Sequence, residues 1–238
     1  MLNKIIKIEE EVIDIKESGS YILEFNDIKN VEIIINENIE VNIFYVDVDK
    51  SIDRNIKYVL LENAKLYVNK FYNNKEVNEN IVINLDGYNS CFEYYFSGVS
   101  IGLENYKMVI NHNNKNVISK IINHFVALEN ASCNFLIDSN VSRGNCGCEM
   151  KQETKIINLG ENKSVIKPNM NIREYDVKAS HGAVIGSFRE EDLFYLMSRG
   201  INYNNAMNLL VRGFLILNKD DNIEFKDNIN SIIDKYWR

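Results

Sequence analysis

Hydrophobic residues fall at every second position over much of the first two thirds of the chain. In "VEIIINENIEVNIFYVDVD", Val31, Ile33 and Ile35 share one face; after a polar break Ile39, Val41, Ile43 and Tyr45 share one, with Glu40 and Asn42 between them. A period of two carried by β-branched and aromatic side chains specifies strands, because alternate residues of a strand point to opposite faces. "AKLYVNKFY" and "SCNFLID" repeat the pattern.

The dipeptide Glu-Asn precedes five such runs, at Glu37-Asn38, Glu62-Asn63, Glu104-Asn105, Glu129-Asn130 and Glu161-Asn162. Asparagine tolerates left-handed backbone and bonds its own main chain, which suits a corner between strands. Recurring corners with alternating runs after them predict the stacked coils of a β-solenoid. A β-sandwich is the alternative that this pattern leaves open.

Near residue 187 the period changes. "SFREEDLFYLMSRGI" predicts a helix opened by a capping box, Ser187-x-x-Glu190, with Glu190, Glu191 and Asp192 in the first turn, where the helix dipole favours negative charge. Arg199 lies in the last turn and Gly200 supplies a left-handed stop. Leu193, Leu196 and Met197 make its apolar stripe, flanked by Phe194 and Tyr195. A second helix, from near Asn202, carries Ala206, Leu209, Leu210, Gly213, Phe214 and Leu217, and a third carries Ile229, Ile232, Ile233, Tyr236 and Trp237. The expectation is a β body over residues 1–186 and a helical region over 187–238.

Composition narrows the function. With 45% hydrophobic and 26% charged residues the chain is of the soluble globular kind, and 238 residues suffice for a substantial core. A net charge of −7 argues against nucleic acid and against anionic membranes as partners. The N-terminus is broken by charges every two or three residues, with no signal-like apolar run and no spanning segment, so a cytoplasmic location is expected. No nucleophile–base constellation or phosphate loop is visible, so no catalysis of its own is expected.

Four cysteines are too few for a disulfide framework. Cys91 and Cys133 sit in strand-like runs and read as core thiols. In "NCGCE", Cys146 and Cys148 would project from one strand face about 7 Å apart, too far to bridge unless Gly147 turns the chain. The two thiols are either metal ligands or reactive groups, or ordinary buried small residues. Of the three histidines, His112 and His124 read as coil-surface residues. His181, in "EYDVKASHGAVIG", stands where strands give way to helices; there a histidine either caps a backbone carbonyl or serves as a ligand.

The stretch "YDVKASHGAVIGSFREEDLFYLMSRGINYNNAMNLLVRGFL" resembles the closing region of the SufB/SufD family of iron–sulfur cluster assembly proteins. The matching positions are Asp176-Val177, Ser180 to Ala183, Leu193 to Ile201, Ala206 and Gly213-Phe214. Upstream, "NHFVALENASCNFLIDSNVSRGN" and "TKIINLGENKSVIKPNMNIREYDV" look like the family's preceding coils; the likeness covers the last half of the chain and fades toward the N-terminus. It implies a right-handed parallel β-helix with a small C-terminal α-helical region. It further implies pairing with a SufB-type subunit or a second copy, and docking of the C-terminal helices, through Phe194, Tyr195, Arg199 and Gly200, on a SufC-type ABC ATPase. His181 matches the histidine that, with a cysteine of the partner, is placed to hold a nascent, transient iron–sulfur cluster; histidine can replace cysteine on a cluster iron. SufB-type members carry a glutamate where Gly182 stands and a cysteine where Thr154 or Glu153 stands, so the chain reads as SufD-like. It also lacks a match to the helical N-terminal portion of longer members. The rivals are a carbohydrate-active β-helix, which would need acidic residues along a groove, and a purely structural interaction module.

Overall fold

The computed structural model describes residues 4–26, 28–161, 163–217 and 222–237. The alternating runs become fifteen strands in two parallel sheets. Odd-numbered strands form one sheet of eight, in the order β1 (Lys4–Ile8), β3 (Gly19–Phe25), β5 (Glu40–Val48), β7 (Lys65–Asn73), β9 (Cys91–Ser100), β11 (Ile118–Ala127), β13 (Cys148–Asn158) and β15 (Val177–Gly186). Even-numbered strands form the other sheet of seven, from β14 (Val165–Ile172) through β12 (Ser132–Val141), β10 (Leu103–His112), β8 (Glu76–Leu85), β6 (Ser51–Leu60) and β4 (Asn30–Ile35) to β2 (Val12–Ile15). The chain thus alternates between sheets, two strands per coil, and the sequence expectation of a β-solenoid holds over a sandwich.

The corners explain the Glu-Asn signal. Asn38, Asn63 and Asn130 adopt left-handed backbone, with φ of 59°, 54° and 65°. Asn63 donates to Asn38 and Asn89 to Asn63 through their side-chain amides, at 2.9 and 3.0 Å, so the corner stacks on itself. Asn105 breaks the pattern: it lies inside β10, paired with Asn134, because strand β10 begins at Leu103, two residues before it, and not after it as at the other corners. Asn162 lies outside the described residues. Stacked asparagines are 25 residues apart early in the chain and 31 apart late, so the spacing looked irregular in sequence although each step is in register.

Between the sheets lies the main core. Pairings such as Ile56↔Ile81, Tyr58↔Ile83 and Leu60↔Leu85 place like side chains above one another, all of them buried. At its middle Phe96 meets Tyr72, Tyr106 and Phe125 edge-on, with ring centroids 4.7–5.1 Å apart; such pairs add about 0.5–1.5 kcal/mol each beyond burial. The core also holds charge: Lys70 and Glu79 form an ion pair with no solvent access, and Tyr72 Oη donates to Glu79 at 2.7 Å.

Three helices follow: α1 (Glu190–Ser198), α2 (Tyr203–Leu215) and α3 (Ile223–Tyr236). Met207, Val211 and Leu215 of α2 and Ile229, Ile232 and Ile233 of α3 join Phe71, Val99 and Val126, which point outward from the eight-stranded sheet, in a second hydrophobic core. The buried stripe of α2 is therefore Ala206, Met207, Val211 and Leu215, rotated from the one read in sequence; Leu209 is exposed. Arg212 ties α2 to α3 through Asn230 and Asp234. The capping box of α1 does not form. Arg189 is the N-cap with no side-chain cap, and its guanidinium bonds both carboxylate oxygens of Asp192 at 2.9 and 2.7 Å, moving the start two residues on from Ser187. The other end is as expected. Gly200 is left-handed at φ 86°, and the N–H groups of Gly200 and Ile201 close a Schellman motif on the carbonyls of Met197 and Leu196. Among the described residues no helix is long and apolar enough to cross a membrane.

Candidate functional site at the open end of the solenoid

Strand β15 is the last of its sheet and pairs only with β13; β14 is the last of the other. In parallel register, paired residues point to the same side. Cys148, Met150, Gln152, Thr154 and Ile156 of β13 are buried, and their partners are Val177, Ala179, His181, Ala183 and Ile185. His181 therefore belongs to the row that faces the interior, but no further coil covers it, and it is exposed. Across the lumen, Ile166, Pro168 and Met170 continue the interior rows of Phe135, Ile137 and Ser139 and are half-buried. The broad end of the solenoid is thus an open cross-section: apolar, edged by two unpaired strands, with His181 among the small residues Ala179 and Ala183. The neighbouring Gly182 has no atom within 4 Å of where a side chain would begin.

His181 makes no hydrogen bond to a described residue, so the carbonyl-capping role is not realised. The residue beneath it is Gln152, its register partner, whose amide nitrogen reaches across the lumen to Ser139 Oγ at 2.7 Å and to the Asn169 carbonyl at 3.3 Å. Of the two positions set against the SufB-type cysteine, Thr154 faces inward and accepts from Asn123 Nδ2 at 3.0 Å. Glu153 faces outward and gathers Lys151 and Lys155 at 3.0 and 2.7 Å. The hydrogen bond from Lys155, chiefly, holds its carboxyl down at about 2.

The cysteine pair does not share a strand face. Cys146 is half-buried in a turn and Cys148 is the first residue of β13, fully buried in the main core. Gly147 between them is left-handed at φ 72°, and a Cβ there would fall 2.0 Å from Asn116 Oδ1, so only glycine fits. The Cys148 thiol donates to the Asn145 carbonyl at 3.1 Å, and burial pushes it above its ordinary value. It is a protonated core thiol. Cys148 pairs with Val177, four residues along β15 from His181, or about 13 Å at the rise of a strand. His181 and the two cysteines are not brought together. Among the described residues no three His, Cys, Asp or Glu side chains are grouped to hold a metal ion. Cys133 is buried core as expected, 3.8 Å from Glu104; Cys91 is half-buried, its thiol pushed up to about 11 by burial.

Neither of the other histidines is a surface residue. His112 is buried, donating from Nδ1 to the Asn140 carbonyl at 3.1 Å and bonded through Nε2 to Ser119 Oγ at 2.9 Å; burial pushes it down to about 4. His124 stacks on Phe214 with centroids 4.6 Å apart, donates from Nδ1 to the Phe214 carbonyl at 2.8 Å, and lies 3.5 Å from Glu153. It joins the end of α2 to β11, a role that nothing local in "INHFVAL" announces.

On the helical region Phe194 and Tyr195 are 74% and 57% exposed, and Met197 and Tyr203 are exposed beside them. Neither of the aromatic pair packs onto the β body; half-buried Leu193 packs against the second hydrophobic core instead. Arg199 lies over the Tyr195 ring at 5.3 Å. The helices thus present an aromatic surface with an arginine and with Gly200 at its edge.

The chain is an all-parallel, two-sheeted solenoid with trailing helices and a histidine at its open end. Residues 14–214 match the family described as SUF system FeS cluster assembly, SufBD core domain, and the chain belongs to that family. It is 34% identical over 113 residues to the iron–sulfur cluster assembly protein SufD of Bacillus subtilis, covering 47% of this chain and 26% of that protein. It is 47% identical over 60 residues to an iron–sulfur cluster assembly SufBD family protein of Pyrococcus horikoshii, covering 25% of this chain and 14% of that one. With SufD of Escherichia coli it is 46% identical over 48 residues, 20% of this chain and 11% of the relative. The matched segments thus span a quarter or less of these relatives, or little more.

Proposed function

We propose that this chain is a SufD-like scaffold subunit of iron–sulfur cluster assembly, without catalysis of its own. Its end formed by β14 and β15 would pair with a SufB-type subunit or a second copy. Residues 187–238 would dock on a SufC-type ABC ATPase through Phe194, Tyr195, Arg199 and Gly200; exposed aromatic and arginine side chains are the usual anchors of interfaces. The nascent cluster is cargo, held transiently at the subunit interface by His181 with donors from the partner. One observation carries this reading: His181 is exposed on an unpaired edge while the chain's own thiols lie elsewhere, so a donor set is completed only by a second chain. Cys146, half-buried in its turn, is the one thiol of the NCGCE pair open to such a role; Cys148 would first have to leave the core.

Anaerobic co-expression with a SufC-type ATPase alone, followed by iron and sulfide analysis of the purified complex, tests it. A coloured complex containing both elements is expected if two copies suffice, and a colourless stable complex if a cysteine-bearing partner is needed. Absence of any complex would sink the docking proposal. With the full set of partners, His181→Ala should lower iron and sulfide content several-fold while leaving the melting temperature unchanged.

A further inference from the structure

Gln152 is fully buried, yet its Oε1 has no hydrogen-bond partner among the described residues. Its amide cannot be turned round to correct this. The group facing the Asn169 carbonyl must be the NH2, since a carbonyl only accepts, and the same nitrogen holds Ser139 Oγ. The oxygen is thus fixed as the free atom; Glu104 Oε1 and Asn123 Oδ1 are also without a partner among the described residues, but each lies a coil deeper, away from the open end. Gln152 lies in the last covered layer. The residue directly above it in register is His181, whose ring has hydrogen-bonding capacity to spare and, being exposed, freedom to change rotamer.

We propose that Gln152 is a positioning residue: its Oε1 accepts the N–H of the His181 imidazole, fixing the ring's tautomer and leaving the other nitrogen's lone pair directed out of the open end. Metal-binding histidines are commonly oriented in this way by an acceptor behind them. The functional meaning rests on the reading of His181 as a cluster ligand; the hydrogen bond itself does not. Thr154 is not placed to serve instead, because its register partner is Ala183 and not His181. Cys148 lies four positions away along the strand.

The test is nitrogen NMR of the whole chain labelled at histidine, at a pH where the rings are neutral. Only three histidines contribute, and His181→Ala assigns the signal of interest. The wild-type His181 ring should show two widely separated nitrogen shifts, those of a single tautomer. Gln152→Leu should draw them together toward the average of a freely exchanging ring, and Gln152→Glu, which keeps an acceptor, should restore the separation. The signals of His112 and His124 report whether each variant is folded. Averaged shifts in the wild type, or an unchanged separation in folded Gln152→Leu, would overturn the proposal, and the wild-type spectrum decides even if the leucine variant does not fold. Iron content of the co-expressed complex is a separate readout: its failure would count against the cluster reading and leave the hydrogen bond standing.

Discussion

The two outer faces of the solenoid are built on the same strand period and end up in opposite environments. On the eight-stranded face Phe71, Val99 and Val126 point outward and are buried under α2 and α3. On the seven-stranded face the outward rows are mainly polar, with single apolar residues such as Val82, Val109 and Leu136 among them. Asn84, Asn111, Asn140 and Asn171 form a ladder in which each amide donates to the one below at 2.9–3.0 Å. Hydrophobic burial recruits a further layer to the first face, at about 25 cal/mol for each Å² removed from water. The amide ladder saturates the second and leaves little for a layer to cover. Alternation decides that a coil forms; the identity of the outward residue decides what the coil carries.

Placing a charge on the covered face should break this contrast most severely. Val126→Asp leaves an unpaired carboxylate under the helices, at a cost of about 3–5 kcal/mol. The helices should come away while the coils persist, read as protease sensitivity confined to residues 187–238 with the strand signal in circular dichroism retained. Simultaneous loss of both would show that the two layers are one cooperative unit.

A change in the lumen should cost less and spare both faces. Burial raises the Glu104 carboxyl to about 8, so the folded state holds a proton that the unfolded chain has released. That contribution is complete below the unfolded value near 4.5 and is lost as pH rises through about 8. His112, pushed down to about 4, acts in the opposite sense and only below its unfolded value near 6.5. Between pH 6.5 and 8, stability should therefore fall by about 2 kcal/mol on account of Glu104. Denaturant unfolding of Glu104→Gln should lose that fall, leaving only the small opposite rise toward pH 8 from buried Lys70, which burial pushes down to about 8; a slope equal to the wild type's would remove Glu104 as its source.

The smallest effect belongs to the bare face. Asn111→Ala removes two amide contacts in a solvated ladder, and a loss of about 0.5–1 kcal/mol is expected in the denaturant midpoint. A loss as large as that of Val126→Asp would mean that the ladder, not the lumen, holds the coils in register.

The strands and the change of period near residue 187 were legible because each rests on side chains alternating about a local axis. The abundance of asparagine carried more than its corners announced, since ladder partners lie 25–31 residues apart and no local window contains both. Three misreadings share one physical cause. Ser187 lost the N-cap to an Arg189–Asp192 ion pair, the buried stripe of α2 was set by where the sheet lies, and His124 was claimed by a helix end 90 residues away. Each was decided by a tertiary partner. The candidate site was legible as a residue, His181, through resemblance; that it faces inward at an uncovered end, above a glutamine with an idle oxygen, required the register.

The uncovered end also bears on how much of this protein a cell can hold. A ten-residue strand that is paired on one side only, with exposed Val184 and Ile185, is a template on which any stray strand can add. Copies made in excess of whatever covers that edge are exposed to aggregation and to quality-control proteases. On the proposed pairing, balanced synthesis with the partner becomes a requirement written into the last coil, and the steady-state amount of the chain should follow the supply of that partner rather than its own rate of translation.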